Sequence, residues 1–147
     1  MKYFHIFGPV PSRRLGISLG VDMITHKTCS FDCLYCECGK TTHLTTARKT
    51  YVDPKTVIKE LDHYFAHHPA PDYVTFSGSG EPCLNISIGS VISHIRQKTP
   101  RVRVAVLTNS SLLVQPQVQA DLMMADLVVP SLDAATQDAF ERINRPK

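Results

Sequence analysis

No apolar stretch in these 147 residues approaches the ~20 needed for a membrane-spanning helix. A leader peptide is not expected either. The apolar run Tyr3 to Phe7 is short, and Gly8, Pro9, Arg13 and Arg14 follow it closely. Internal repeats and low-complexity tracts are missing, which excludes solenoid and linker architectures. Charge of one sign is scarce: 16 Lys and Arg against 13 Asp and Glu leave a formal +3. That balance permits a nucleic-acid partner without arguing for one. No cysteine precedes Cys29, and a disulfide framework is not expected, because four of the five cysteines (29, 33, 36 and 38) crowd into ten residues. Such crowding suits metal, and free thiols point to a reducing, cytoplasmic setting. With 43% apolar and 20% charged residues, the chain reads as one globular domain, residues 1–147, able to build its own core.

The most informative stretch is Cys29-Ser30-Phe31-Asp32-Cys33-Leu34-Tyr35-Cys36, a C-x3-C-x2-C pattern. Four cysteines close an iron–sulfur cluster and leave it to move electrons. Three leave one metal position for a substrate, as catalytic zinc sites do with three protein ligands. The alternative is a four-cysteine zinc site that adds Cys38. Only Glu37 separates Cys36 from Cys38, a tight spacer for two ligands of one tetrahedral ion.

Strand and helix signals alternate along the rest. Ile17 to Met23 reads as a strand, with Ile17, Leu19 and Val21 alternating. Asp53-Pro54 is a helix start, and Val57, Ile58, Leu61 and Phe65 mark its apolar face until Pro69. Tyr73 to Phe76 is a second strand, running into Gly78-Ser79-Gly80-Glu81-Pro82. Asn85 is placed to cap a helix with the face Ile88, Val91, Ile92 and Ile95. A third strand, Val102 to Leu107, ends at Thr108-Asn109. Pro116 opens a helix carrying Val118, Leu122 and Met123. Leu127 to Val129 is the fourth strand, and a last helix is expected from near Asp133. Alternation of this kind predicts an α/β fold of parallel βα repeats with right-handed crossovers. The cysteine loop, the Gly-Ser-Gly-Glu turn, Thr108-Asn109 and Ser131-Leu132-Asp133 then all fall at carboxyl ends of parallel strands. Ligands bind there in open and barrel-type α/β folds.

Each motif also has a plainer explanation. The glycine turn lets backbone approach a ligand closely, and Glu81 can accept from an amine, yet Gly and Pro are common in any strand-to-helix loop. Asn109 and its serines can hold a ribose or merely shape a turn. Ser131 is open to the same two readings, and Asp133 is also a fair N-cap. Arg13-Arg14 suits phosphate or carboxylate, or a solvated ion pair. Cys83 reads as a small buried apolar residue, and none of the seven histidines is assigned as a ligand.

Together these residues resemble the radical S-adenosylmethionine (radical SAM) superfamily: the three cysteines with Tyr35 before the last, then Gly80-Glu81-Pro82, Thr108-Asn109 and Ser131-Leu132-Asp133 in that order. The run Phe7-Gly8-Pro9-Val10-Pro11-Ser12-Arg13-Arg14-Leu15-Gly16 and on to Asp22 is similar to wyosine-type tRNA synthases and their bacterial Fe-S oxidoreductase relatives. The resemblance implies a [4Fe-4S] cluster on Cys29, Cys33 and Cys36, whose open iron chelates the methionine part of SAM. It implies reductive cleavage of SAM to a 5′-deoxyadenosyl radical that abstracts hydrogen from a substrate. Tyr35 is implied against adenine, Gly78, Gly80 and Glu81 around the methionine amine, and Asn109, Ser131 and Asp133 near ribose or carboxylate. An electron donor such as flavodoxin or ferredoxin is implied as partner. Wyosine synthases carry upstream cysteines that are missing here, so tRNA as a partner is left unsupported. The resemblance also implies a partial (β/α)6 barrel, of which about four strands are counted. On that count the chain is expected to be incomplete at its C-terminus and to expose a sheet edge through which two copies can pair. The rival expectations are a fragment that binds cluster and SAM without turnover, and a zinc-bound interaction module.

Overall fold

In the computed structural model, which describes residues 1–147, the chain opens with a hairpin. β1 (Ile6–Ser12) runs antiparallel to β2 (Gly16–Val21), with a bulge between Phe7 and Val10. A two-residue parallel pair follows, β3 (Thr28–Cys29) with β4 (His43–Leu44), and the cysteine loop lies between them. Then come α1 (Pro54–His67), β5 (Tyr73–Phe76), a 3-10 turn (Pro82–Leu84), α2 (Ile88–Lys98) and β6 (Arg103–Thr108). The chain continues through α3 (Pro116–Leu122), β7 (Leu127–Pro130) and α4 (Gln137–Asn144). The main sheet has the order β1-β2-β5-β6-β7, and the last four strands are mutually parallel. It is open, not a closed barrel, as four βα repeats imply. No helix is long and apolar enough to cross a membrane.

The core forms where the strand and helix periods agree. Val21, Phe76, Val106 and Val128 stand in register across the four parallel strands. With Leu19, Val74 and Val104 one pleat earlier, they meet Val57 and Leu61 of α1, Ile88, Val91, Ile92 and Ile95 of α2, and Val118 of α3. Alternation sends Ser18 and Thr75 to the other face, where their hydroxyls bond at 2.7 Å. Asp53 caps α1 by accepting from the Lys55 N–H at 2.9 Å, as the sequence predicts.

Several local expectations are corrected. β1 was not foreseen, because its proline and glycine content hides an edge strand. Asn85 does not cap α2, whose N-cap is Ser87. Asn85 is instead fully buried, donating to the carbonyls of Met23 and Val52 and accepting from the Ser87 N–H. Met123 lies just past α3 and is exposed. The last helix starts four residues beyond Asp133, where Thr136 accepts from the Ala139 N–H.

Candidate functional site

The loop between β3 and β4 is tied at many points. Thr41 donates its N–H to Asp32 Oδ1 (2.7 Å) and its hydroxyl to the Phe31 carbonyl (2.7 Å). The end of α4 returns to the same loop: the N–H of Asp32 donates to the Asn144 carbonyl (3.0 Å) and that of Leu34 to the Ile143 carbonyl (2.9 Å). Lys147 N–H closes onto the Ser30 carbonyl at 3.0 Å, and Phe31 meets Phe140 edge to face. The cysteine-bearing backbone is thus held by its own chain. Cys29, Cys33 and Cys36 are half-buried, Cys38 is exposed and Cys83 is fully buried in the core, as the sequence predicts. Burial pushes the Cys29 thiol up.

Cys29, Cys33, Cys36 and Cys38 line one cavity of about 430 Å³ at the carboxyl ends of the parallel strands. Tyr35, Gly78, Gly80, Glu81, Asn109 and Ser131 share its wall. No three of the cavity's cysteine or acidic side chains converge as closely as a single ion requires. Asp133 lies outside this wall, in an adjoining cavity of about 210 Å³ that also carries Ser131, Asn109 and Asn144. It reaches the main cavity through Tyr35, whose hydroxyl donates to the Asp133 carboxylate. Burial, and then that bond, push the Tyr35 phenol up.

The turn after β5 is shaped by close approach. Gly78 has φ +131°, and Asp22 Oδ2 accepts from the Ser79 N–H at 2.8 Å. At Gly80 a Cβ would stand 1.7 Å from the Thr28 carbonyl oxygen, so only glycine lets this turn press against β3. Glu81 is 1% exposed. Its Oε1 accepts from Thr108 Oγ1 (2.6 Å) and the Cys83 N–H (3.1 Å), and its Oε2 accepts from the Asn109 N–H (2.7 Å). Burial pushes this carboxyl up, against the pull of those donors. Glu81 therefore pins the end of β6 to the turn. The free acceptors of the turn are backbone carbonyls, and Gly78 O takes the Cys38 S–H at 3.3 Å.

Asn109 points its side chain at the cysteine loop, donating to Ser30 Oγ (2.8 Å) and lying 3.5 Å from Cys29 Sγ. Three residues at the site are assigned no role there by the sequence reading: Asp22, Lys27 and Asn144. Lys27 is 2% exposed, and its ammonium lies 3.0 Å from Cys36 Sγ. Burial alone would lower its pKa; the bond to Cys36 and the charges of the neighbouring thiols raise it. Asn144 donates to Cys33 Sγ at 3.3 Å. A lysine two residues before a cysteine looks solvated in sequence, and Asn144 lies more than a hundred residues from the cysteine that it touches. Arg13 and Arg14 stand exposed in the β1–β2 turn and enter no ion pair.

The amino-acid sequence has relatives among known proteins. A protein of Brachyspira hyodysenteriae named GTPase Obg is 43% identical over 99% of this chain, which covers 21% of that protein. A UPF0026 protein of Methanocaldococcus jannaschii is 37% identical over 95% of the chain, and one of Synechocystis is 39% identical over 96%. The chain covers 44% and 52% of these two, so it spans about half the length of its UPF0026 relatives. A family model described as the radical SAM superfamily matches residues 23–147, from just past the first parallel strand through the cysteine loop to the last residue; the chain belongs to the radical SAM superfamily.

Proposed function

We propose that this chain is the cluster- and SAM-binding part of a radical SAM enzyme. Cys29, Cys33 and Cys36 would hold a [4Fe-4S] cluster. The observation that carries the reading is the shared cavity: three thiols of a C-x3-C-x2-C loop face a glycine turn and two strand ends across about 430 Å³. The donor set fits the group, since three soft thiolates suit iron–sulfur ligation and leave one metal position free. The chemistry that such a cluster would supply, when bound and reduced, is the electron for cleaving SAM to a 5′-deoxyadenosyl radical capable of hydrogen abstraction.

The chain's own residues bind and orient. The carbonyls of the Gly78–Gly80 turn offer acceptors to the methionine amine once Cys38 yields Gly78 O. Tyr35, held by Asp133, presents an aromatic face to adenine. Asn109 and Ser131 stand where ribose or carboxylate oxygens would come. Glu81 keeps the turn and the end of β6 in fixed relation, so that these groups are placed before SAM arrives. An electron donor of the flavodoxin or ferredoxin kind supplies reducing equivalents.

A nucleotide-hydrolysis reading, prompted by one relative's name, finds no phosphate loop here. Gly39-Lys40-Thr41 lacks the glycine five residues upstream, where Leu34 stands. The reading is tested by anaerobic reconstitution with iron and sulfide, dithionite reduction, and quantification of 5′-deoxyadenosine from SAM. Its production is the expected result. A cluster without 5′-deoxyadenosine would leave a binding fragment, and a colourless protein carrying zinc would overturn the iron assignment.

A further inference from the structure

Every one of the three ligand sulfurs has a donor from outside the C-x3-C-x2-C stretch. Lys27 Nζ lies 3.0 Å from Cys36 Sγ, Asn144 Nδ2 3.3 Å from Cys33 Sγ and Asn109 Nδ2 3.5 Å from Cys29 Sγ. They come from the loop before β3, the end of α4 and the end of β6. We propose that these three side chains form a designed shell of donors around the cluster, and that Lys27 is the positioning residue that raises the cluster's reduction potential most. The inference rests on the cluster reading above.

Charge carries the argument for Lys27. Its ammonium is enclosed, and its three protons are accounted for by Cys36 Sγ, the Gly39 carbonyl (3.0 Å) and Thr41 Oγ1 (3.2 Å). None of the five ion pairs of the molecule includes it. An enclosed cation without a carboxylate needs some other anion nearby. The Asp32 carboxylate feels the ammonium only from beyond ion-pair distance; the candidate anion in direct contact is the Cys36 sulfur, and a metal-bound cysteine is a thiolate. Lys27 therefore makes sense as the counter-charge of a ligated Cys36. Hydrogen bonds to ligand sulfurs are a recognised lever on cluster potential, and a fixed positive charge favours the more negative, reduced state.

The orientation of Asn144 is fixed independently. Its Nδ2 also donates to Asp133 Oδ2 at 2.7 Å. Turning the amide over would set its oxygen against that carboxylate and against the sulfur. Its own Oδ1 is buried without a partner, a cost accepted while the nitrogen faces Cys33. The same carboxylate accepts from Tyr35, so one acid orients both an aromatic wall of the cavity and a donor to the ligand. Tyr35 and Cys33 are thereby coupled through a single anion.

The experiment is an EPR-monitored redox titration of the reconstituted full chain and of Lys27→Met, Lys27→Arg, Asn144→Ala and Asn109→Ala. In Lys27→Met the equilibrium constant for one-electron reduction should fall about tenfold, ~59 mV toward more negative potential. The asparagine variants should fall a few-fold each. Lys27→Arg, which keeps the charge, should stay closer to the parent than Lys27→Met. If Lys27→Met does not fold, the two asparagine variants decide the question. Unchanged potentials in folded, cluster-bearing variants would overturn the donor shell and leave the cluster reading intact. A shift in Lys27→Arg as large as in Lys27→Met would overturn the role of charge. Absence of iron in the reconstituted parent would remove the cluster reading itself.

Discussion

Cys33 and Cys38 separate the iron reading from its zinc rival one residue at a time. Both line the cavity, but Cys33 belongs to the three-thiol pattern and Cys38 caps Gly78 O. Cys33→Ala should abolish iron retention and the visible spectrum after reconstitution, whereas Cys38→Ala should retain both; equal loss in the two would make Cys38 a fourth ligand and leave no metal position open. Asp32 offers a second test. The Thr41 N–H, and more weakly Arg145, hold its carboxyl below the usual carboxylate range. A carboxyl lowered on folding contributes stability that is complete above its unfolded value of about 3.9 and is lost as pH falls through the lowered folded value. Urea unfolding of the metal-free chain should therefore show a drop in stability as pH falls below about 4, which Asp32→Asn flattens. Residue types at this scale were legible where spacing carries chemistry, as in the three cysteines. Lys27, Asp22 and Asn144 were not, because burial and long-range contact decide their roles and neither has a local signature.

At the scale of elements, the site depends on how tightly the turn after β5 meets β3. Gly80→Ala would place a methyl 1.7 Å from the Thr28 carbonyl, and backbone cannot swing aside as a side chain can. The substitution should cost about 3 kcal/mol, the upper part of the overpacking range. It should also displace Cys29, which neighbours Thr28 in β3, so that iron loading falls together with the urea midpoint. Ile92→Ala in α2 provides the contrast. Ile92 is fully buried in the core, on a helix that packs against β6 and against α1 and α3. Its truncation should cost ~2–5 kcal/mol while the thiols, on the loop side, still load iron under native conditions. The two variants together separate loss of fold from loss of site. Elements with a strong period were legible: the face Ile88, Val91, Ile92 and Ile95 is buried as spaced, and β5 has the expected bounds. β1 and the β3–β4 pair were not, since two-residue strands have no period and β1 carries Gly8, Pro9 and Pro11.

For the whole molecule, the order β1-β2-β5-β6-β7 leaves two free edges of different kinds. β1 is antiparallel, bulged and interrupted by prolines, features that blunt edge-to-edge pairing. β7 has a parallel neighbour on one side and none on the other, and the segments around it carry Val114, Met123 and Leu132, each more than three-quarters exposed. The four-strand count made this edge visible in the sequence, whereas the exposure around it needed three dimensions. An unpaired strand edge beside exposed apolar side chains favours association. Sedimentation velocity on the chain should therefore show a weight-average coefficient that rises with concentration, and Leu132→Glu should reduce the rise. A single monomeric species at high concentration would mean that β7 is shielded by its own short length and not by a second copy. In that case the same edge is free to receive further βα repeats, as the greater length of the UPF0026 relatives would allow. Activity then becomes the discriminating quantity: a monomer that releases 5′-deoxyadenosine has a complete SAM site within four parallel strands, and only the substrate would require more of the sheet.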